Sequence, residues 1–175
     1  LLCQEPAADG RACGECRSCR QFDADGHPDY RLREPVEPGK TLTVDRVRGV
    51  AEFLGLTGHY EAGLRVVVIS PADAMNTAAA NSLLKTLEEP NPDTLLILVS
   101  ARPSALLATI RSRCQAVRFS APGDDVALPW LTERVEAGGS VPALLRLADN
   151  APLRALAHAE TGLVARREAR LADLE

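Results

Sequence analysis

Short apolar runs along the chain predict four β-strands. The run Arg65–Ile69 is too apolar and too rich in β-branched residues to be half exposed, which is typical of a strand covered on both faces of a parallel sheet. A second buried strand is predicted at 94–100. A short strand is also predicted around Tyr30–Arg33, after a turn at 27–30, and a last strand is predicted at 115–119.

Helical spacing of apolar residues separates these strands. One helix is predicted from Thr43 to Gly55, and a second has Asn76 or Thr77 as its N-cap and stops before Pro90. The apolar faces consist of Val44, Val47, Ala51 and Leu54 in the first helix and of Ala80, Leu83, Leu84 and Leu87 in the second.

The alternation of strands and helices predicts an α/β fold with a parallel sheet. The Pro-Gly-Asp-Asp segment at 122–125 is the best candidate for a domain boundary. Further helices are predicted at 104–108 and, beyond that boundary, at 129–137, 141–147 and 153–174. The sequence therefore indicates an α/β domain over 1–121 and a small helical domain over 122–175.

Composition and charge exclude some classes of protein. The 175 residues are 46% hydrophobic, which is enough to bury one core. A net charge of −4 argues against a protein that grips a phosphate backbone by itself, so any DNA contact is expected to be shared with partners. The chain shows neither an apolar run near the ~18 residues of a membrane span nor a signal peptide, which favours a cytoplasmic location without a membrane partner. Because the chain opens on Leu1 rather than Met and its helical pattern runs on to Glu175, we expect it to be trimmed at both ends.

Four of the five cysteines are crowded at the start of the chain. Cys3, Cys13, Cys16 and Cys19 are separated by nine, two and two residues. The two Cys-x-x-Cys steps suit tetrahedral Zn²⁺, since two intervening residues let both sulfurs converge on one ion. Disulfides and a redox pair are the alternatives, and a cytoplasmic setting disfavours stable disulfides. A closed four-thiolate site is structural, because it leaves no coordination position for water or substrate.

Two motifs give the chain a specific resemblance. Segment 81–90 has the sequence Asn-Ser-Leu-Leu-Lys-Thr-Leu-Glu-Glu-Pro, and segment 107–114 has the sequence Leu-Ala-Thr-Ile-Arg-Ser-Arg-Cys. In this order and at this separation they resemble the clamp-loader branch of the AAA+ ATPases. The four-cysteine segment upstream narrows the resemblance to the gamma/tau and delta prime subunits of bacterial DNA polymerase III. Within the first motif, Lys85 is predicted to form a surface ion pair with Glu88 or Glu89.

In that family the arginine of the Ser-Arg-Cys motif is an arginine finger, which reaches across a subunit interface to the γ-phosphate of ATP in the adjacent subunit. The matching residue here is Arg113, and its planar, permanently charged guanidinium suits charge stabilisation in phosphoryl transfer. Ser112 is expected to shape the turn and Cys114 to anchor it by buried packing. Without the flanking motifs, Arg113 would be interpreted as a surface salt-bridge partner. Arg111 is a weaker candidate for the same surface.

The chain departs from the pattern of the ATP-hydrolysing relatives. They carry an Asp-Glu pair at the end of the strand before the Leu-Leu-Lys helix, whereas this chain has Ser70 and Pro71, which offer no carboxylate to Mg²⁺. Asp73, the nearest acid, falls beyond the strand and is interpreted as a turn or cap residue. In the helical region, Leu153 stands where ATP-binding relatives place a sensing arginine, and Arg154 is about 100° further around the helix. These departures favour the delta prime branch.

The resemblance implies an N-terminally truncated AAA+ domain and a truncated helical lid. It also implies a subunit of the DNA polymerase III holoenzyme that has no active site of its own and binds no ATP. The implied partners are the gamma/tau and delta subunits and, through the assembled complex, the sliding clamp and primed DNA. Structural Zn²⁺ is the one cofactor implied.

Two other functions stay open on the sequence. An active gamma/tau-type ATPase would need a phosphate-binding loop, Gly-x-x-x-x-Gly-Lys-Ser/Thr, which the printed sequence lacks and which would precede Leu1. A zinc-dependent nucleic-acid-binding module would use the cysteine segment. That segment offers only Arg11, Arg17, Arg20 and the nearby Phe22, which is little for backbone binding or base stacking.

Overall fold

The computed structural model describes residues 2–60, 64–135 and 140–161. The chain divides into two compact units, Leu1–Ala116 and Val117–Glu175. The division falls a few residues before the boundary predicted near position 122. Within the described residues, no helix combines the length and the apolar character that a membrane crossing requires.

The first unit is an α/β structure with a three-stranded sheet. Its elements in chain order are α1 (Arg17–Asp23), β1 (Tyr30–Arg33), α2 (Val44–Val47), α3 (Val50–Gly55), β2 (Arg65–Ile69), α4 (Thr77–Ser82), α5 (Leu84–Glu88), β3 (Thr94–Leu98) and α6 (Ala108–Arg111). The strand order is β1-β2-β3 and both pairings are parallel, with Tyr30 opposite Val66 and Arg65 opposite Thr94. Because parallel neighbours need a crossover, helices α2 and α3 join β1 to β2, and α4 and α5 join β2 to β3. The predicted α/β class with a parallel sheet is confirmed.

The central strand β2 lies in the core. Val66, Val67 and Ile69 are buried, so the prediction of a strand covered on both faces is confirmed for β2. In β3 every residue is only half-buried, and the predicted burial of that strand was too high. The described residues pair β3 with β2 along one edge and place no strand on its other edge.

The helix predicted from Thr43 is broken into α2 and α3 at Gly49. This glycine has φ 81°, a left-handed conformation that is costly for residues with a Cβ. The break shifts the helical phase, so that Val50, Phe53 and Leu54 are buried while Ala51 is exposed. The prediction of Ala51 on the apolar face was therefore wrong.

The second predicted helix is present as α4 and α5, which meet at Leu83. Asn76 is its N-cap, since its side chain accepts a hydrogen bond from the backbone N–H of Ala79 at 2.8 Å. Ala80 and Leu83 are buried in the main core, and Leu84 and Leu87 pack against it. The predicted apolar face and one of its two predicted caps are confirmed.

Two predicted elements differ from the structure. The helix predicted at 104–108 is replaced by a 3₁₀ turn at Pro103–Ala105 and by α6, because Leu106 and the residue after it are extended and pack against the core. No strand forms at 115–119. In the described part of the chain no backbone hydrogen bond involves this segment, and Phe119 is 94% exposed. A strand is stable only where a neighbouring strand pairs with it.

The second unit is helical in the residues described. It contains α7 (Asp124–Thr132), α8 (Val141–Leu147) and α9 (Pro152–Glu160). Helix α7 begins earlier than the predicted 129, with Gly123 as its N-cap and Pro129 inside the helix. The predicted residues 136–137 and 162–174 lie outside the described residues. The small core consists of Ala127, Leu131, Leu144, Leu145, Ala148 and Ala155.

Candidate functional site

The four cysteines at the start of the chain converge on one point. The Sγ atoms of Cys3, Cys13, Cys16 and Cys19 lie within 4.8 Å of one another. Cys16 is the N-cap of α1 and Cys19 lies in its first turn, so the chain brings both Cys-x-x-Cys steps together where it enters the helix. The backbone N–H of Cys19 donates to the Sγ of Cys16 at 3.4 Å, and that of Cys16 donates to the Sγ of Cys13 at 3.3 Å.

The sulfur separations match a tetrahedral metal site. The Sγ of Cys3 lies 3.6 Å from that of Cys13 and 3.9 Å from that of Cys16, and the Sγ atoms of Cys13 and Cys19 are 4.0 Å apart. Four sulfurs bonded to Zn²⁺ at about 2.3 Å would be separated by about 3.8 Å. All of these cysteines are free thiols. The cluster could therefore hold one metal ion.

Hydrogen bonding and burial act oppositely on the thiols of this cluster. Backbone hydrogen bonding, chiefly from Cys19, lowers the pKa of Cys16 to about 6. Burial raises the pKa of Cys19 to about 12. Four thiolates this close would repel one another strongly unless a cation lay between them. A divalent metal ion held by these four thiols would supply that charge and would favour their deprotonated form.

A buried polar network connects the cysteine segment to the sheet. Ser18 in α1 lies beside Cys19, and its Oγ is 2.8 Å from Nε2 of His27. The backbone N–H of Asp29 donates to Nδ1 of His27 at 3.0 Å. All three residues are buried. The sequence predicted only a turn at 27–30, and this network was missed.

The Ser18 and His27 pair has the wrong proton arrangement for nucleophilic catalysis. Because Nδ1 of His27 accepts a backbone hydrogen bond, the ring proton resides on Nε2 and is donated to Ser18. The Ser18 hydroxyl in turn donates to the carbonyl of Leu2. Burial lowers the pKa of His27, which favours this neutral ring. The imidazole therefore cannot accept the Ser18 proton, and the pair is structural.

Asp29 and Arg65 form a buried ion pair at the other end of this network. Their side chains are 1% and 9% exposed, and Nη2 of Arg65 lies 3.5 Å from Oδ1 of Asp29. The Asp29 carboxylate also accepts the backbone N–H of His59 at 2.9 and 3.0 Å. Arg65 stacks on Phe53 with its guanidinium carbon 4.7 Å from the ring centre. The sequence signal for this pair is Arg65 itself, the one charged residue of an otherwise apolar strand. A charged side chain is rarely buried unless a partner is buried with it.

We expect Asp29→Asn to lower the free energy of unfolding by about 3–5 kcal/mol, because it leaves a buried guanidinium without its counter-charge. Urea unfolding of the purified protein measures this loss. Asp23→Asn, an equivalent change at an exposed position in α1, is the matched control and should shift stability by no more than about 0.5 kcal/mol. Equal stability of the two variants would contradict the assignment of the pair as a structural link.

Arg113 lies just after α6 and is partly exposed. Its Nη2 is 2.6 Å from Oε1 of Glu88, and the side chains are 34% and 49% exposed respectively. Its Nη1 donates to the carbonyl of Thr109 at 3.0 Å and to Oγ of Ser112 at 3.4 Å. Lys85 was predicted to pair with Glu88 or Glu89, whereas in the structure Glu88 pairs with Arg113.

The residues around Arg113 hold the end of α6. Ser112 caps the helix, and its hydroxyl donates to the carbonyl of Thr109 at 3.2 Å. Cys114 packs against the main core, where burial raises its pKa, and it lies outside the cysteine cluster. Arg111, the last residue of α6, is exposed.

The end of the central strand β2 carries no free carboxylate in the described structure. Ser70 and Pro71 follow directly after the strand, as the sequence predicted. The nearest acid is Asp73, whose Oδ1 accepts from Ser100 at 2.7 Å and whose Oδ2 lies 2.9 Å from Nη2 of Arg102. These contacts, with the Ser100 hydrogen bond as the main cause, lower the pKa of Asp73. Both of its oxygens are engaged in linking the ends of β2 and β3.

Three further candidates have side-chain partners. In α9, Leu153 is exposed and Arg154 forms an ion pair with Asp149 at 3.1 Å. In the cysteine segment, Arg11 forms an ion pair with Asp9 at 3.4 Å, and the ring of Phe22 packs edge-on against Tyr30 at 4.8 Å. Arg17 and Arg20, the other basic residues of this segment, are exposed, and Phe22 is 43% exposed.

Comparison with known proteins agrees with the two motifs. The chain is 46% identical over 157 residues to the DNA polymerase III subunit delta prime of Pseudomonas aeruginosa, covering 89% of this chain and 47% of that protein. It is 41% identical over 158 residues to the subunit of the same name from Escherichia coli, covering 90% and 47%. A family model described as DNA polymerase III, delta subunit, matches residues 1–123. The chain belongs to the delta prime family.

A solved structure supports the fold of this delta prime family member. A gamma subunit-related protein from Thermotoga maritima is similar with a TM-score of 0.57 and 25% identity, over 81% of this chain and 46% of that one. The chain spans about half the length of the curated relatives it matches. Residues 1–123, which the family model matches, contain Arg113 and the four cysteines.

Proposed function

We propose that this chain is part of a clamp-loader subunit that hydrolyses no ATP itself and supplies Arg113 to the ATP site of a neighbouring subunit. In this proposal residues 1–121 form an AAA+ domain and residues 122–175 form part of its helical lid. The neighbour that receives Arg113 is a gamma/tau subunit, and a delta subunit is a further partner. Through the assembled complex the protein acts on the sliding clamp and primed DNA.

The observation that carries the proposal is the end of the central strand β2. An ATPase of this class needs carboxylates there to hold Mg²⁺ and to orient the attacking water. Here the strand ends in Ser70 and Pro71, and the one nearby acid, Asp73, is engaged by Ser100 and Arg102. In the described residues the end of β2 offers no free carboxylate, which supports a subunit that does not hydrolyse ATP, while Arg113 is accessible to a partner.

The chemistry of Arg113 suits a role in trans. A guanidinium is charged at all physiological pH values and can donate two parallel hydrogen bonds to phosphate oxygens. Arg113 is one-third exposed, so its guanidinium can reach another subunit without unfolding of α6. Membership of the delta prime family, whose relatives are named as DNA polymerase III subunits, supports such a multi-subunit setting.

We further propose that the metal is structural zinc held by Cys3, Cys13, Cys16 and Cys19. Four sulfurs with tetrahedral separations match the preference of Zn²⁺ for thiolate ligands. When bound, the ion would supply the cross-link that holds the irregular start of the chain against α1. All four coordination positions would be occupied by sulfur, which leaves no place for a substrate.

Nucleotide binding by the full-length protein tests this function. We expect no saturable binding of a fluorescent ATP analogue up to about 1 mM, the upper end of ordinary nucleotide affinities, with a gamma/tau subunit as the positive control. Saturable binding and hydrolysis by the purified full-length protein would favour the active gamma/tau-type ATPase instead. Omission of the protein from a reconstituted loader should also abolish clamp loading on primed DNA.

A further inference from the structure

The ion pair between Glu88 and Arg113 joins the two motifs that carry the resemblance to the clamp-loader family. Glu88 is the last residue of α5, in the Leu-Glu-Glu-Pro motif, and Arg113 belongs to the Ser-Arg-Cys motif after α6. The residues are far apart in sequence, and the folding of the first unit brings Nη2 and Oε1 to 2.6 Å. Contact between the motifs is therefore a property of the tertiary structure.

The contacts of Arg113 use only part of its guanidinium. Of the five N–H donors of an arginine, the hydrogen bonds use those on Nη1, which donates to Thr109 and Ser112, while Nη2 lies 2.6 Å from Oε1 of Glu88 in an ion pair. Within the described structure Nε and Nη2 donate no hydrogen bond, and Nη2 has only its ionic contact with Glu88. Two donors are what a two-point contact with phosphate oxygens requires.

We propose that Glu88 is a positioning residue for Arg113, an inference that rests on the proposed function of Arg113. A surface arginine has many rotamers, and a finger that must meet a phosphate across an interface loses that freedom when it binds. Glu88 reduces this loss of side-chain entropy before the phosphate is bound, because it contacts the guanidinium from α5. Thr109 and Ser112 contact the same guanidinium from α6 and its C-cap.

The opposite effect, repulsion between the Glu88 carboxylate and the phosphate, is the weaker one. Glu88 is half exposed to solvent, so its charge is strongly screened by water and salt beyond direct contact. The orienting contact is short-range and is not screened in the same way. Loss of Glu88 should therefore slow the neighbour's turnover rather than speed it.

Three variants of the full-length protein in the reconstituted loader test this role. We expect Glu88→Ala to lower the kcat for ATP hydrolysis by about tenfold, with the KM for ATP and complex assembly unchanged. Glu88→Gln keeps an oxygen acceptor and should recover most of the loss. Glu89→Ala removes the same charge from the next, exposed position and should leave kcat unchanged. Equal melting temperatures of the variants would show that the fold is intact.

The ATPase activity of Arg113→Ala is measured in the same experiment, so that failure of the positioning role of Glu88 can be distinguished from failure of the finger role of Arg113. If Arg113→Ala abolishes turnover while Glu88→Ala and Glu89→Ala behave alike, the positioning role of Glu88 is wrong and the function of Arg113 stands. If Arg113→Ala leaves turnover unchanged, the proposed function fails and the positioning role fails with it. An increase in kcat for both Glu88 variants would show that Glu88 competes with the phosphate, which also overturns the inference. The double variant should be no slower than Arg113→Ala alone.

Discussion

ATP hydrolysis by a reconstituted clamp loader should fall by about 10³-fold or more when Arg113 of this protein is replaced by alanine. The reason is electrostatic: an arginine finger stabilises the charge that spreads over the phosphate oxygens in the transition state, and alanine leaves that charge without a donor. Because Arg113 is partly exposed and its ion pair with Glu88 lies at the surface, we expect the subunit to fold and to assemble normally. Steady-state ATPase kinetics of the assembled complex measure the effect.

Arg111→Ala is the matched control for this prediction. It removes the same charge from an exposed position two residues earlier, at the end of α6. We expect turnover close to that of the wild-type complex. Unchanged turnover with Arg113→Ala would refute the finger, and a large loss with Arg111→Ala would move the role to that residue.

Loss of the metal should have the second large effect. We expect the full-length protein to contain about one zinc ion per chain and Cys16→Ala to remove it, because three thiolates hold a structural ion far more weakly than four. The apparent melting temperature should then fall by about 10 °C or more. Elemental analysis measures the metal, and differential scanning calorimetry measures the melting temperature. Prolonged treatment with a chelator should reproduce the effect of the substitution.

Cys114→Ala is the control for the metal prediction. Cys114 packs against the main core and lies outside the cluster, so its replacement should leave the zinc content at the wild-type level. A natively folded protein that contains no zinc would exclude the metal assignment. Equal zinc loss from Cys114→Ala would show that the four-cysteine cluster is not the site.

The strands were predictable because their signal is local. The run Arg65–Ile69 is apolar at nearly every position, and a run of that kind is stable only inside a covered sheet. Strand β1 (Tyr30–Arg33) lies where a strand was predicted, directly after the turn at 27–30, although two of its four residues are arginines. The strand predicted at 115–119 does not form, because a strand also needs a neighbouring strand to pair with. The described structure provides no such neighbour for this segment.

Helix continuity was harder to predict than helix position. The spacing of Val44, Val47 and Leu54 fits one long helix, but Gly49 adopts a left-handed conformation that ends α2 and restarts the helix in a new phase. A glycine within a helical pattern costs only about 1 kcal/mol, so the sequence alone does not say whether the helix continues through it. Packing of Val50 and Phe53 into the core decides the outcome.

The cysteine cluster and the arginine of the Ser-Arg-Cys motif were both identified from the sequence. Cys13, Cys16 and Cys19 were predictable because their two-residue spacing lets neighbouring sulfurs converge on one centre. Cys3 is separated from Cys13 by nine residues, and the fold brings it to the same centre. Arg113 was identified through its motif and its resemblance to a family, and its role remains a prediction. Membership of the delta prime family supports this prediction, because its relatives are named as subunits of DNA polymerase III.

By itself the sequence determined the α/β class, the positions of the buried strands, the four-cysteine grouping and the absence of carboxylates directly after β2. Only the tertiary structure decided the partners of the charged residues: Asp29 with Arg65, Asp73 with Arg102, and Glu88 with Arg113. The physical reason is range. Periodicity and short spacings act between neighbours in the chain, whereas an ion pair depends on which distant segments the packed core brings within hydrogen-bonding distance.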